Sequence, residues 1–233
     1  MVSKKESNVV VMDGVTSSYG MEGGIYMFEI NGITKEYPSV KALDNVSLSL
    51  DDGELISIQG ESGCGKSTLL QIIAGIIMAD SGTITRNNVP LPEVPHKRGV
   101  AMVFQDSLLF NNMTVEENIL FGCPRKDRKH RDKIVNDLAL AYGIGDLLKR
   151  YPFQISGGQA RRVALARALA CERELLLLDE PFSNLDKDLK ENIIKCTREF
   201  CEGRCAAILV THSEAEALKF AERHLYMEDG HIL

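Results

Sequence analysis

Gly60-Glu61-Ser62-Gly63-Cys64-Gly65-Lys66-Ser67-Thr68 has the spacing G-x-x-x-x-G-K-S/T of a phosphate-binding loop. The residues before it, Glu54-Leu55-Ile56-Ser57-Ile58-Gln59, read as a short buried strand. Those after it, Thr68-Leu69-Leu70-Gln71-Ile72-Ile73-Ala74, carry apolar residues at helical spacing. Strand, glycine turn and helix together are the context such a loop needs. Glycines let consecutive backbone N–H groups turn inward around phosphate oxygens, at a helix N-terminus whose dipole already favours negative charge. In that arrangement Lys66 reaches the β- and γ-phosphates, Ser67 gives its hydroxyl to Mg²⁺, and Thr68 supports the adjacent phosphates.

With 233 residues the chain can bury one sizeable core, elaborated by a subdomain. Its net charge of −6 and pI near 5.5 argue against a nucleic-acid partner, which needs a concentrated basic face. The 6 cysteines, Cys64, Cys123, Cys171, Cys196, Cys201 and Cys205, form no C-x-x-C pair, and no secretory leader precedes them. A reduced, cytoplasmic setting is the expectation. Cys196, Cys201 and Cys205 cluster without the His or Cys spacing of a metal site. No apolar run approaches the roughly 20 residues that span a bilayer, so work at a membrane would require docking on another protein.

Residues 1–24 lack periodicity and read as an extension. From Ile25 to Glu36 alternating Tyr26, Phe28 and Ile30 suggest a strand, and Val46 to Leu50 a second. Tyr37, beside Pro38, either stacks on a purine or is an ordinary half-buried tyrosine. Thr83 to Thr85 and Gly99 to Phe104 are further strands, separated by a proline-punctuated loop from Val89 to Pro95. Gln105 follows the second of these, where an open α/β sheet places ligand-facing residues. Thr114 with Glu117 three residues on marks a capped helix start. Pro124 to Tyr151 is helical and polar, and its basic run Arg125 to Lys133 reads as a solvated face.

Ser156-Gly157-Gly158-Gln159 opens a helix over Ala160 to Ala170 whose apolar residues leave Arg161, Arg162 and Arg167 to other faces. Ser-Gly-Gly before a helix is a second possible phosphate cradle. Leu175 to Leu178 is a fully apolar strand that delivers Asp179 and Glu180 at its end. There Asp179 suits the Mg²⁺ shell, and Glu180 suits the polarising of an attacking water. Asp186 begins a helix to about Glu199, Ala206 to Val210 is a strand ending at Thr211-His212, and Leu225 to Gly230 closes as a hairpin.

Taken in order, Gly60 to Thr68, Gln105, Ile155 to Gln159, Leu175 to Glu180, Ser183 to Asp186 and His212 resemble an ABC transporter ATP-binding subunit. The resemblance runs from Ile25 to Leu233. It implies a P-loop NTPase core, a mixed sheet with flanking helices, joined to an N-terminal antiparallel β subdomain and an α-helical subdomain inserted at about 106–160. It also implies ATP with Mg²⁺ bound between two copies arranged head to tail. Gly60, Glu61, Ser62, Gly63, Cys64, Gly65, Lys66, Ser67 and Thr68 of one copy hold the phosphates, and Ser156, Gly157, Gly158 and Gln159 of the other complete the site. By the same resemblance Tyr37 is the adenine-stacking aromatic, Gln105 senses Mg²⁺ and the γ-phosphate, and Glu180 is the general base. His212 contacts the γ-phosphate, and Asp186 belongs to a loop crossing the interface. Ile155 stands where the family usually has leucine, and Asn184 where alanine is commoner.

Phe104 to Asp106, Met113 to Ile119 and Pro181 to Ser183 look most like importers of the iron, sulfate, molybdate or polyamine type. The resemblance therefore implies transmembrane permease subunits as partners, an extracytoplasmic substrate-binding protein, and a peripheral place on the cytoplasmic face of the membrane. A C-terminal regulatory domain is not expected after Gly230. A docking groove for the permease is expected along Gln105 to Leu120. A chromosome-maintenance ATPase would need coiled-coil heptads or zinc modules, and a translation factor tandem cassettes; neither pattern is in the sequence. A scaffold that uses ATP to clamp a membrane complex remains an alternative.

Overall fold

The run Leu175 to Leu178 is apolar at every position because both faces of its strand are covered, which only a parallel sheet sandwiched between layers requires. A computed structural model describes residues 27–124 and 127–233. The sequence-assigned extension 1–24, the first two residues of the first expected strand, and Arg125 and Lys126 of the basic run lie outside the described residues.

In chain order the strands are β1 (Met27–Tyr37), β2 (Val40–Asp51), β3 (Leu55–Gln59), β4 (Ser81–Arg86), β5 (Val89–Pro90), β6 (Val100–Val103), β7 (Leu175–Asp179), β8 (Ala206–Val210), β9 (Arg223–Glu228) and β10 (His231–Ile232). The helices are α1 (Lys66–Ala74), α2 (Val115–Gly122), α3 (Arg128–Ala141), α4 (Gly157–Leu169), α5 (Lys187–Cys201) and α6 (Glu214–Phe220). One sheet of 4 strands, in the order β2-β1-β4-β5, is antiparallel; the other, of 6, runs β10-β9-β3-β8-β7-β6. Its β9, β3, β8, β7 and β6 are parallel, and only the closing hairpin of β9 and β10 is antiparallel.

The large sheet divides the core in two by simple alternation. Leu175 and Leu177 of β7, with Ile208 and Val210 of β8 and Ile56 and Ile58 of β3, pack on α1 and the antiparallel sheet. Leu176, Leu178, Ala207 and Leu209 face the other way, onto α4 and the helices that precede it. Thr114 accepts from the Glu117 N–H at 3.2 Å while the Glu117 carboxylate accepts from the Thr114 N–H at 2.7 Å, so the expected capped start of α2 forms as a reciprocal box.

Five differences from the sequence expectations have local causes. The helical pattern expected as far as Tyr151 ends as α3 at Ala141, where Gly143 turns the chain with φ +58. β2 begins at Val40, six residues before the expected strand, because its pairing with β1 continues past irregularities in the register. Val89 and Pro90, expected in a loop, pair with β4. The short helix α6 was not anticipated, although Ser213 followed by Glu216 has the spacing of a capped start, and the Ser213 hydroxyl does accept from the Glu216 N–H at 3.4 Å. Finally, Arg161, left by periodicity to a face other than the apolar one, is buried. No helix among the described residues is long and apolar enough to cross a membrane.

Candidate nucleotide site

Because β3, β8, β7 and β6 are parallel, their C-terminal ends open along one edge of the sheet. The register sets their level: Ile58 and Asp179 both pair with Val210, and Val103 pairs with Leu178. The residues that follow these strands are Gly60, Thr211 and His212, Glu180, and Phe104 and Gln105. Four segments distant in sequence therefore converge.

The loop after β3 is held where only glycine fits at two points. A Cβ on Gly60 (φ +150) would meet the Met227 carbonyl oxygen at 2.1 Å, and one on Gly65 (φ +110) would meet that of Ala42 at 2.3 Å. Gly63, by contrast, faces open space. Gly65 is the N-cap of α1 and has no side chain to cap it, so the first N–H groups of that helix point into the loop. The Lys66 ammonium, buried with its residue only 6% exposed, donates to the Gly60 carbonyl at 2.9 Å and the Glu61 carbonyl at 2.6 Å, with Cys64 Sγ at 3.3 Å. It is thus folded over the centre of the loop by the loop's own backbone.

Ser67 Oγ donates to Asp179 Oδ1 at 3.0 Å, linking the loop to the end of β7. Burial pushes the Asp179 carboxyl pKa up, against the lowering effect of the Ser67 hydroxyl, and neighbouring Glu180 adds to the rise. A buried carboxylate whose recorded side-chain donor is one serine hydroxyl is under-compensated. With the Ser67 hydroxyl it makes a pair of oxygen donors that fits Mg²⁺.

Glu180 has φ +45, an uncommon conformation for a residue with a side chain. It is held there because its N–H donates to the Val210 carbonyl at 2.9 Å and its own carbonyl accepts from Ser183 Oγ at 2.8 Å. The Glu180 carboxylate lies 3.3 Å from His212 Nδ1, with the histidine side chain 70% exposed and the glutamate 21%. Behind His212, the Glu216 carboxylate accepts from Thr211 Oγ1 at 2.7 Å and from Lys190 at 2.8 Å, fixing the turn that presents the histidine.

Gln105, Glu180, Ser183, Asn184, His212 and Gly157 line one cleft of about 430 Å³ together with Arg161, Asp106 and Ser107. Among the described residues, none of Gly60 to Thr68 lines it. Ser156 and Gln159 use their side chains on each other: Gln159 N–H donates to Ser156 Oγ at 3.2 Å, and Ser156 N–H to Gln159 Oε1 at 2.8 Å. The S-x-x-Q spacing is a capping box, and it presents the helix end at Gly157 and Gly158 at the surface. Gly158 lies against the backbone of Asn184, whose φ of +59 suits asparagine better than alanine. Asp186 is the exposed N-cap residue of α5. Tyr37 ends β1 half exposed, with the Lys35 ammonium 5.7 Å from its ring. The strand it pairs with, β2, brings Ala42 against Gly65.

The three arginines that periodicity left to other faces of α4 bind backbone. Arg161 donates from Nη1 to the Phe104 carbonyl at 2.6 Å and from Nη2 to that of Gln105. Arg167 donates to Leu108 at 2.9 Å and Ser107 at 3.2 Å, and Arg162 to Tyr142 and Gly143, both at 2.7 Å. Asn118, fully buried on α2, was also missed: its side chain bonds to the backbone of Phe110, Met113 and Thr114. Beside it a groove of about 450 Å³ is lined by Asn112, Met113, Glu117, Leu120, Phe121 and Arg131.

The sequence profile of the family described as ABC transporter matches residues 43–183. The Fe(3+) ions import ATP-binding protein FbpC of Mesorhizobium japonicum is 46% identical over 211 residues, covering 87% of this chain and 58% of that protein. The sulfate/thiosulfate import ATP-binding protein CysA of Rhodopseudomonas palustris is 45% identical over 212 residues, 88% of this chain and 61% of that protein. The chain thus spans about three fifths of the length of these relatives. Among solved structures, the ATP-binding cassette MJ0796, a dimer in a post-hydrolysis state bound to ADP and Pi, superposes with a TM-score of 0.80 at 30% identity, over 88% of this chain and 96% of that one.

Proposed function

This chain belongs to the ABC transporter family, and from that membership we infer that it is the ATP-hydrolysing subunit of an importer. In this reading two copies close head to tail around two ATP molecules and drive separate transmembrane subunits. The observation that carries it is the convergence of Lys66, Ser67, Asp179, Glu180, Gln105 and His212 on one sheet edge, with Ser67 bonded to Asp179. The dimeric cassette bound to ADP and Pi supports the paired arrangement.

Each residue then has one task. The loop from Gly60 to Thr68 wraps the phosphates, and Lys66 exchanges its bonds to the Gly60 and Glu61 carbonyls for phosphate oxygens. Ser67 and Asp179, with Gln105, would hold Mg²⁺, which would supply charge neutralisation at the phosphates. Glu180 takes the proton from the attacking water, and His212, held 3.3 Å from it, donates to the γ-phosphate oxygens. Tyr37 stacks on adenine. Ser156, Gly157, Gly158 and Gln159 of the second copy close over the γ-phosphate with a capped helix end. Asp186 and its loop cross between the copies.

The core residues 25–233, with the inserted helices of about 106–160, form the ATP-binding unit. The groove beside α2 receives a cytoplasmic segment of a permease subunit. That places the protein on the cytoplasmic face of the membrane, with an extracytoplasmic binding protein supplying the cargo. The names of the relatives divide between Fe(3+) and sulfate or thiosulfate, and the choice of cargo belongs to those partners.

Glu180→Gln tests the reading. It is expected to bind ATP and form a dimer in its presence while losing hydrolysis by about 10²–10⁴-fold. Turnover within a fewfold of the unmodified protein would remove Glu180 from the role of general base.

A further inference from the structure

We propose that Arg161 is a positioning residue that couples the two ATP sites of the dimer, by hanging Gln105 of one site on the helix whose N-terminus closes the other. The inference rests on the paired arrangement proposed above and adds a route by which each site reads the occupancy of its neighbour.

Arg161 lies on α4 one helical turn after Gly157, and both line the cleft that contains Gln105, Glu180 and His212. Its guanidinium is buried, with the residue 6% exposed, and its two terminal nitrogens go to the carbonyls of Phe104 and Gln105. Arg167, further along α4, takes the carbonyls of Ser107 and Leu108. Four carbonyls within five residues are therefore held by two side chains of one helix. Lying between the end of β6 at Val103 and the start of α2 at Val115, these carbonyls belong to no strand or helix ladder.

A planar fork suits two neighbouring carbonyls in a way that a lysine ammonium does not. Asp106, Asp179 and Glu180 provide the opposing charge, so the cation is retained against the cost of burial. The consequence follows from the two ends of α4. Its first turn, Ser156 to Gly158, meets the nucleotide held by the other copy. Arg161, in the next turn, grips the backbone of this copy's own Gln105. Any shift of α4 on capturing the neighbour's nucleotide is carried as a rigid displacement to the residue that senses this copy's metal and γ-phosphate.

The test is the ATP dependence of hydrolysis by the full chain in Mg²⁺, with folding monitored by thermal unfolding. The unmodified protein is expected to show a Hill coefficient above about 1.5, and Arg161→Met a value of about 1. Arg161→Lys, which keeps the charge but reaches only one carbonyl, should fall between them, and it serves as the informative variant if Arg161→Met does not fold. A Hill coefficient near 1 in the unmodified protein, or one left unchanged by both substitutions, overturns the coupling role while leaving the ATPase standing. Absence of hydrolysis in the unmodified protein at any ATP concentration overturns the function itself, and the inference with it.

Discussion

Asp179 shows how a single residue is placed at a cost to the stability of the fold. Burial raises its folded-state pKa above the ordinary aspartate value, so the contribution of this group to stability is complete below about pH 4. That contribution is lost as pH rises through the folded-state pKa. Asp179→Asn, which cannot ionise but still accepts from Ser67, should therefore melt above the unmodified protein at pH 7 without nucleotide or Mg²⁺. Each kcal/mol of the difference moves Tm by about 2–4 °C, and the advantage should shrink as the pH falls toward about 4. A lower melting temperature at pH 7 would contradict the assignment. The same variant should lose Mg²⁺-dependent hydrolysis. At this scale Lys66, Ser67, Asp179 and Glu180 were legible, because the spacing of the loop and an acidic pair after an apolar run leave few other readings. Arg161 was not, because an arginine among apolar residues on a helix is indistinguishable from a solvated one until the segment it binds is in place.

Among the elements, those with a strong period were read correctly in kind: β3, α1, α4, β7, β8 and the capped start of α2 all form. Errors fell where a partner elsewhere in the chain sets the boundary, as in the long register of β2 on β1 and the short pairing of Val89 and Pro90 on β4. The helix α2 carries a prediction of its own. Its Phe121 is 63% exposed and packs at 4.7 Å from the Phe110 ring, on the rim of the groove that Asn112, Glu117 and Arg131 complete. Exposed aromatic surface beside a rigid, Asn118-locked loop is suited to receiving a partner helix. If the chain assembles with membrane subunits as proposed, a photoreactive side chain at position 121 should form an adduct with one of them in that complex. Adducts from the β1–β2 hairpin but none from position 121 would place the docking surface elsewhere.

For the whole molecule the question is where the second half of each site comes from. Two variants, Lys66→Ala and Ser156→Arg, should each be inactive alone, since every site in either homodimer lacks one half. Mixed, they assemble one site with an intact loop and an intact helix end, and part of the hydrolysis should return. If mixing restores nothing, the copies do not complete each other's sites. The sequence by itself determined the local patterns: the glycine loop, the acidic pair and the S-G-G-Q helix start are fixed by backbone and side-chain geometry within a few residues. Only the tertiary structure decided their arrangement. The parallel register of β3, β8, β7 and β6 brings Ser67 to Asp179 and Glu180 to His212, and it buries Arg161 against the Gln105 backbone. Those contacts join residues 32 to 112 positions apart or sit on irregular backbone, where no sequence period exists to announce them.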